Sequence, residues 1–233
     1  MDKKKLKIGL ITYRGNPSSG GQGIYINYLS RALSDLGHEV TVISGPPYPE
    51  IRKDIKLVKI PSLDLFSKKN KFLDVKFSKL FSLNNLKEWI SANSGGFPEP
   101  HTFGPRLKKF IEENVGQFDV FHDNQTLCKE LISLQQKYPL VTTIHHPITK
   151  DIEFQLKSTN DFFLKLLIKR WHSFIPTQIK VAKKLKKIVV PSESSRKDVV
   201  KDFSLKEARI EVVHNGIDLS FFYPSEKPYE SKL

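Results

Sequence analysis

Two consecutive histidines, His145 and His146, close the β-branched run Val141, Thr142, Thr143, Ile144 and stand before Pro147. This spacing puts at least one imidazole at the carboxyl end of a strand, where it can donate a hydrogen bond to a sugar hydroxyl or orient a reacting group. A capped structural histidine at a strand end fits the same pattern. Upstream, Gly15, Gly20, Gly21 and Gly23 crowd the stretch between the apolar run Lys7 to Thr12 and a helical pattern. Gly20, Gly21 and Gln22 stand at the start of that helix, where bare main-chain N–H groups and the positive end of the helix dipole can meet a phosphate closely. A flexible turn that lets the helix pack on a sheet uses the same residues, and glycine is common in turns.

Other chemistries are excluded by spacing. The order of glycines is not G-x-G-x-x-G and no Gly-Lys-Ser follows, which removes support for dinucleotide redox chemistry and for a Walker-type loop. Gln125, Lys150 and Asp151 accompany the two histidines without metal-ligand spacing, and His122 with Asp123 does no better, so no metal site is expected. There is no G-x-S-x-G elbow, and Cys128 falls inside a helical pattern from Thr126 to Gln136 rather than at a strand tip. As the single cysteine it forms no internal disulfide, in keeping with a reducing cytoplasmic setting.

The elements that must position these residues alternate along the chain. Lys7 to Thr12 reads as a strand. Tyr25, Tyr28, Leu29, Ala32 and Leu36 recur on one helical face, with Gly37 as a left-handed stop, and His38 to Ser44 reads as the next strand. This is a βαβ unit, right-handed and parallel. A third strand is expected at Ile55 to Ile60. Gly95 to Pro105 reads as a loop before a helix at Arg106 to Glu113, followed by strands at Phe118 to His122, Leu140 to His145, Ile188 to Val190 and Ile210 to Val213. His145 to Asp151 reads as a loop, and Pro191 and Ser192 open a helix to about Phe203. The fold class this implies is α/β: a doubly wound parallel sheet with helices on both faces, and ligands outside the carboxyl ends of its strands.

At 233 residues and with 39% apolar, 11% aromatic and 27% charged side chains, the chain can bury a sizeable core without staples. No apolar run reaches bilayer-spanning length, and the N-terminal run is too short and too β-like for a signal-peptide core. Thirty-eight Lys and Arg against 25 Asp and Glu leave a formal charge of +13, suited to nucleotide phosphates, anionic lipid or nucleic acid. No zinc-finger, RRM or GXXG signature supports the last of these. Two stretches are both basic and apolar: Phe66 to Ile90, and Asp161 to Phe174 with the lysines that follow it to Lys187. In the second, Phe163, Leu167, Trp171 and Phe174 share a face expected to enter the core, with the lysines solvated; a basic interfacial helix on an anionic membrane is the competing role.

Four stretches in order resemble the N-terminal domain of family 4 retaining glycosyltransferases, which have the GT-B fold. They are Gly20-Gly21-Gln22-Gly23 with Tyr25 and the helix ending Leu36-Gly37-His38-Glu39-Val40; Thr142-Thr143-Ile144-His145-His146; Val190-Pro191-Ser192-Glu193-Ser194-Ser195; and Val212-Val213-His214-Asn215-Gly216-Ile217-Asp218. The resemblance implies a Rossmann-like domain over residues 1–215 that mainly binds acceptor, a sugar or a lipid-linked sugar. A nucleoside-diphosphate sugar is the implied donor, and no metal or other cofactor is implied. Gly20, Gly21 and Gln22 would lie against the donor diphosphate, and His145 beside the transferred sugar. Tyr25, Gln125, His146 and Lys150 are the cleft candidates on the acceptor side. Asn215, Gly216 and Asp218 match the hinge into a C-terminal, nucleotide-gripping GT-B domain, so residues 216–233 are expected to be an interdomain linker. Half of the cleft would then lie outside this chain, and the isolated chain is expected to show negligible turnover. A non-catalytic acceptor- or membrane-binding module is the alternative, and the expected location is cytoplasmic, at the membrane's cytoplasmic face if associated.

Overall fold

The computed structural model describes residues 4–17, 21–219 and 222–224. Its first half runs β1 (Lys7–Thr12), α1 (Gly21–Asp35), β2 (Glu39–Ser44), β3 (Lys56–Lys59), α2 (Leu83–Asn93), α3 (Glu99–Glu113) and β4 (Val120–Asn124). The second half runs α4 (Leu131–Lys137), β5 (Leu140–Thr143), α5 (Thr149–Lys157), α6 (Phe162–Trp171), α7 (Ile175–Ala182), β6 (Ile188–Val190), α8 (Glu193–Phe203) and β7 (Ile210–Val212). Two short three-ten turns, Leu65–Ser67 and Phe77–Phe81, lie between β3 and α2.

All seven strands are parallel, in the order β3-β2-β1-β4-β5-β6-β7. The chain therefore winds outward from β1 in one direction and then returns to β4 and winds outward in the other. The reversal opens a crevice at the carboxyl ends of β1 and β4, the place where doubly wound sheets bind ligands. Strands covered on both faces carry near-continuous apolar runs, and β1 and β2 each show one exposed residue followed by five buried ones. One face packs Ile11, Ile43, Phe121, Leu131, Ile144 and Val190 into the larger core; the other packs Leu10, Val42 and Ile26 with Leu29 and Leu33 of α1. Gly9 is required by a close approach, since a Cβ there would lie 2.5 Å from the Phe121 ring of the neighbouring strand.

The doubly wound parallel sheet is as the alternation predicts, and several local expectations are corrected. Helix α3 starts at Glu99, not Arg106: Pro100 occupies the first turn, where its fixed φ suits a helix and its missing N–H costs nothing, and Pro105 is accommodated inside. Helix α4 starts at Leu131 rather than Thr126, because Gln125 and Leu127 take left-handed φ values of 52° and 48°. Cys128 consequently lies in a buried loop, not a helix, and burial pushes its thiol pKa up. The segment after His145 is not all loop: α5 begins at Thr149. Pro176 opens α7 instead of simply breaking the preceding helix.

The expected core face of α6 is also overturned. Phe163, Leu167 and Trp171 are exposed, and only Phe174, beyond the helix end, is buried. The helix attaches through its last turn, where Trp171 stacks on Phe97 at 5.1 Å and meets Phe66 edge-on at 5.3 Å. The basic stretch from Phe66 to Ile90 folds as a three-ten turn and the start of α2 around a small cluster of Leu63, Leu65 and Ala92. Buried Glu88 ties that cluster down, accepting from Arg106 of α3 at 2.5 Å and from the Leu63 N–H at 3.0 Å.

Candidate active site

The crevice is lined from three directions: the opening of α1, which follows β1, and the residues that end β4 and β5. Asp123, fully buried near the end of β4, accepts from the Thr126 hydroxyl and N–H and from the Leu127 N–H. Burial pushes its carboxyl up to about 7 against the pull of these bonds. The clasp holds the chain through the two left-handed residues Gln125 and Leu127, a conformation that persists only where its surroundings fix it. Its effect is to fix the loop that carries Asn124 and Gln125 across toward β5.

Each end of both amides is engaged. Gln125 accepts the His145 N–H at 2.7 Å and donates to the His146 carbonyl at 2.9 Å, so it clamps the main chain that carries the imidazole. Asn124 donates to the Gln22 carbonyl in the first turn of α1 at 3.2 Å and presents its Oδ1 to His145 Nε2 at 2.7 Å. Ser192 caps α8 by accepting the Ser195 N–H at 3.1 Å, and the Ser195 hydroxyl donates to the His145 carbonyl at 3.0 Å. Two separate segments, the end of β4 and the start of α8, thus fix one residue.

Tyr25, from the second turn of α1, sets its ring edge-on against His145 with centroids 4.6 Å apart. Its hydroxyl is 3.2 Å from Thr143 Oγ1, which is 2.7 Å from Nε2 of the half-buried His122. Burial pushes both His122 and His145 down to about 4, with a smaller contribution from the next imidazole in each case. Both are neutral near pH 7. Burial also raises the Tyr25 phenol, so it stays protonated.

The remaining expected residues are placed as follows. Gly20 lies outside the described residues. Gly21 opens α1, is exposed, and a Cβ there would meet nothing within 4 Å. Gly23 is different: a Cβ would lie 2.2 Å from the Asn16 carbonyl oxygen, so it is the loop that needs this glycine. His146 is exposed and 3.2 Å from Asp151. Lys150 is exposed and paired with Asp198 of α8, which raises its pKa. Asn215 and Gly216 follow β7 as exposed chain, His214 is anchored to the Pro191 carbonyl at 3.1 Å, and Asp218 lies 3.8 Å from Arg31 of α1. Among the described residues no group of three or more His, Cys, Asp or Glu is arranged to hold a metal ion. Asn124, Thr143 and Ser195 are positioning groups to which sequence reading gave no role. The polar run His122-Asp123-Asn124-Gln125, directly after an apolar strand, was the available signal.

With the opening of α1 and the imidazole of His145 joined through Asn124, the comparisons acquire a structural meaning. Residues 19–221 match the sequence model of Glycosyltransferase Family 4. The chain belongs to that family. This family 4 chain is 38% identical over 230 residues to a protein of Mycolicibacterium hassiacum named MMP alpha-(1->4)-mannosyltransferase, an alignment covering 98% of the chain and 56% of that relative. Among solved structures it is similar to HepE of Anabaena in complex with UDP, with a TM-score of 0.52 and 14% identity over 95% of this chain and 47% of that one. UGT89C1 of Arabidopsis thaliana complexed with UDP gives a TM-score of 0.50 and 13% identity over 92% and 50% of the two chains. At such identities the likeness is one of fold, the Rossmann-like α/β unit. The family 4 chain spans about half the length of these proteins.

Proposed function

We propose that this chain is the acceptor-side half of a retaining glycosyltransferase, which moves a hexosyl group from a nucleoside-diphosphate sugar to an acceptor hydroxyl. The observation that carries this reading is the Asn124 bridge, which joins the imidazole of His145 to the opening turn of α1 across the crevice between β1 and β4. It holds the N-terminus of α1 and a neutral imidazole one side chain apart, which supports reading the crevice as a site for a sugar diphosphate. The name of the M. hassiacum relative supports mannose as the transferred sugar and an α-linked product, and the UDP in the two fold neighbours supports a nucleotide donor.

In the reaction, the bond from the anomeric carbon to the diphosphate breaks, a bond from the acceptor oxygen to that carbon forms on the same face, and the acceptor hydroxyl gives up its proton. The main-chain amides that open α1, with the helix dipole behind them, stabilise the charge that develops on the departing diphosphate. His145 contributes as a hydrogen-bond acceptor rather than the donor the sequence suggests. The Gln22 carbonyl can only accept, so Asn124 must turn its NH2 toward it and its Oδ1 toward His145, which therefore carries its proton on Nε2 and leaves Nδ1 to accept from a sugar hydroxyl. The alignment covers 56% of the M. hassiacum relative, and in this reading a second domain of the complete polypeptide grips the nucleotide. Asn215, Gly216 and Asp218 are then the passage into it.

The test is transfer from a panel of nucleotide sugars by the complete polypeptide, with anomeric configuration read by NMR. Retention is expected, and His145→Ala should lower kcat by on the order of 10²-fold. Inversion, or near-normal turnover by His145→Ala, overturns the assignment.

A further inference from the structure

Helix α6 is apolar over most of its circumference and yet has no buried residue. Phe162 and Phe163 are 73% and 75% exposed, and Leu164, Leu166 and Leu167 are exposed beside them. The helix is not a frayed end: the Asp161 side chain caps it by accepting the Leu164 N–H at 2.9 Å, and Trp171 and Arg170 anchor its last turn, Arg170 donating to Ser91 and Ser94 near the end of α2. At 100° per residue, Lys165 and Lys169 fall on one narrow strip, and the rest is apolar apart from Arg170, whose guanidinium is held by Ser91 and Ser94. No carboxylate lies within the helix.

The same composition recurs next door. Phe66, which meets Trp171, leads into a segment whose exposed Phe72, Phe77 and Phe81 alternate with Lys71, Lys76 and Lys79. Lys71 lies over the Phe66 ring at 4.2 Å. On the other side, α5 adds exposed Phe154 followed by Lys157.

We propose that α6, with the neighbouring segment from Phe72 to Phe81, is an interfacial anchor that seats the chain on an anionic lipid surface. Phenylalanine and leucine side chains enter the headgroup and acyl boundary, while Lys165 and Lys169 extend their stems along it and place their charges at the phosphates. Charge decides the occupant. A second copy would set these lysines against their own kind on a chain of formal charge +13, whereas an anionic bilayer supplies both apolar depth and opposite charge. No helix among the described residues is long and apolar enough to cross a membrane, so the association is peripheral for this part of the chain. The proposal stands apart from the reaction assigned above.

Co-sedimentation of the complete polypeptide with vesicles of phosphatidylcholine alone, and with about one third phosphatidylglycerol, tests it. Binding should rise about tenfold or more on the anionic vesicles and weaken with salt. Phe162→Ser with Phe163→Ser changes only exposed side chains, should leave the circular dichroism spectrum intact, and should lower vesicle binding about tenfold. Lys165→Glu with Lys169→Glu should remove the preference for anionic lipid. Equal or absent binding on the two vesicle types overturns the proposal. So does a dimer by light scattering that the phenylalanine variant dissolves while vesicles bind neither form, which would make the surface a self-association face.

Discussion

Asn124 sets which nitrogen of His145 carries the proton. Its own amide is oriented by the Gln22 carbonyl, 3.2 Å from Nδ2, and its Oδ1 then stands 2.7 Å from His145 Nε2. A single side chain, fully buried at the end of β4, therefore controls the tautomer of the imidazole and its distance from the opening of α1.

Asn124→Ala should free that tautomer. The variant is expected to lose on the order of 10²-fold in kcat while its donor KM changes less, since the α1 amides remain in place. Nitrogen-15 NMR of labelled histidine is the deciding measurement: the native His145 should show a protonated Nε2, and the variant a mixture. An unchanged tautomer in Asn124→Ala removes Asn124 from this role even if activity falls.

Gly21 and Gly23 should fail in opposite ways. A Cβ at Gly21 meets open space, so Gly21→Ala should leave stability within about 0.5 kcal/mol and weaken nucleotide-sugar binding about tenfold by covering the amides. A Cβ at Gly23 runs into the carbonyl of Asn16, so Gly23→Ala should cost about 1–3 kcal/mol in denaturant unfolding through the strained loop. Equal effects of the two changes on donor affinity at unchanged stability would falsify the division of labour.

Main-chain amides and a helix dipole are assigned the charge on the leaving diphosphate, so a bound divalent cation has no task in this scheme. Turnover by the complete polypeptide in excess EDTA should stay within about twofold of its untreated rate. A loss of rate that magnesium or manganese restores shows that a cation shares that charge.

How far the sequence carried these conclusions differs from residue to residue. Short apolar, β-branched runs located the strands, because strands buried on both faces leave near-continuous apolar stretches, as in Ile8 to Thr12 and Val40 to Ser44. His145 was legible because it ends such a run. Asn124 and Ser195 were not, since their roles arise from contacts across 21 and 50 residues of sequence, which no local pattern encodes. The start of α4 was misplaced for a related reason: left-handed φ at Gln125 and Leu127 is enforced by the Asp123 clasp, and neither residue type announces it. Periodicity identified α6 as amphipathic but says nothing about what covers an apolar face, so Phe163, Leu167 and Trp171 were wrongly sent to the core.

Four shifted groups give stability a pH dependence of both signs: burial holds His122 and His145 down and pushes Asp123 and Glu99 up, and His122 and Glu99 serve here as one of each. Burial holds His122 down at about 4 against its usual 6.5, so the unfolded chain binds a proton there first, and the stabilisation present above pH 6.5 is lost as pH falls toward 4. Glu99, in the first turn of α3, has one carboxyl oxygen buried without a hydrogen-bond partner, and burial pushes it up from 4.5 to about 7. There the folded state holds the proton longer, so stability falls as pH rises from 4.5 to 7. Because the two windows overlap, differences between variants are the clean measurement. Glu99→Gln should gain on the native protein as pH rises through that range, by on the order of 1–3 kcal/mol at pH 8 in urea unfolding. His122→Gln, which keeps a partner for Thr143, should gain as pH falls from 6.5 to 4. A Glu99→Gln difference that is flat with pH means the carboxyl is already ionised in the fold, with a cation such as the neighbouring Arg14 compensating it.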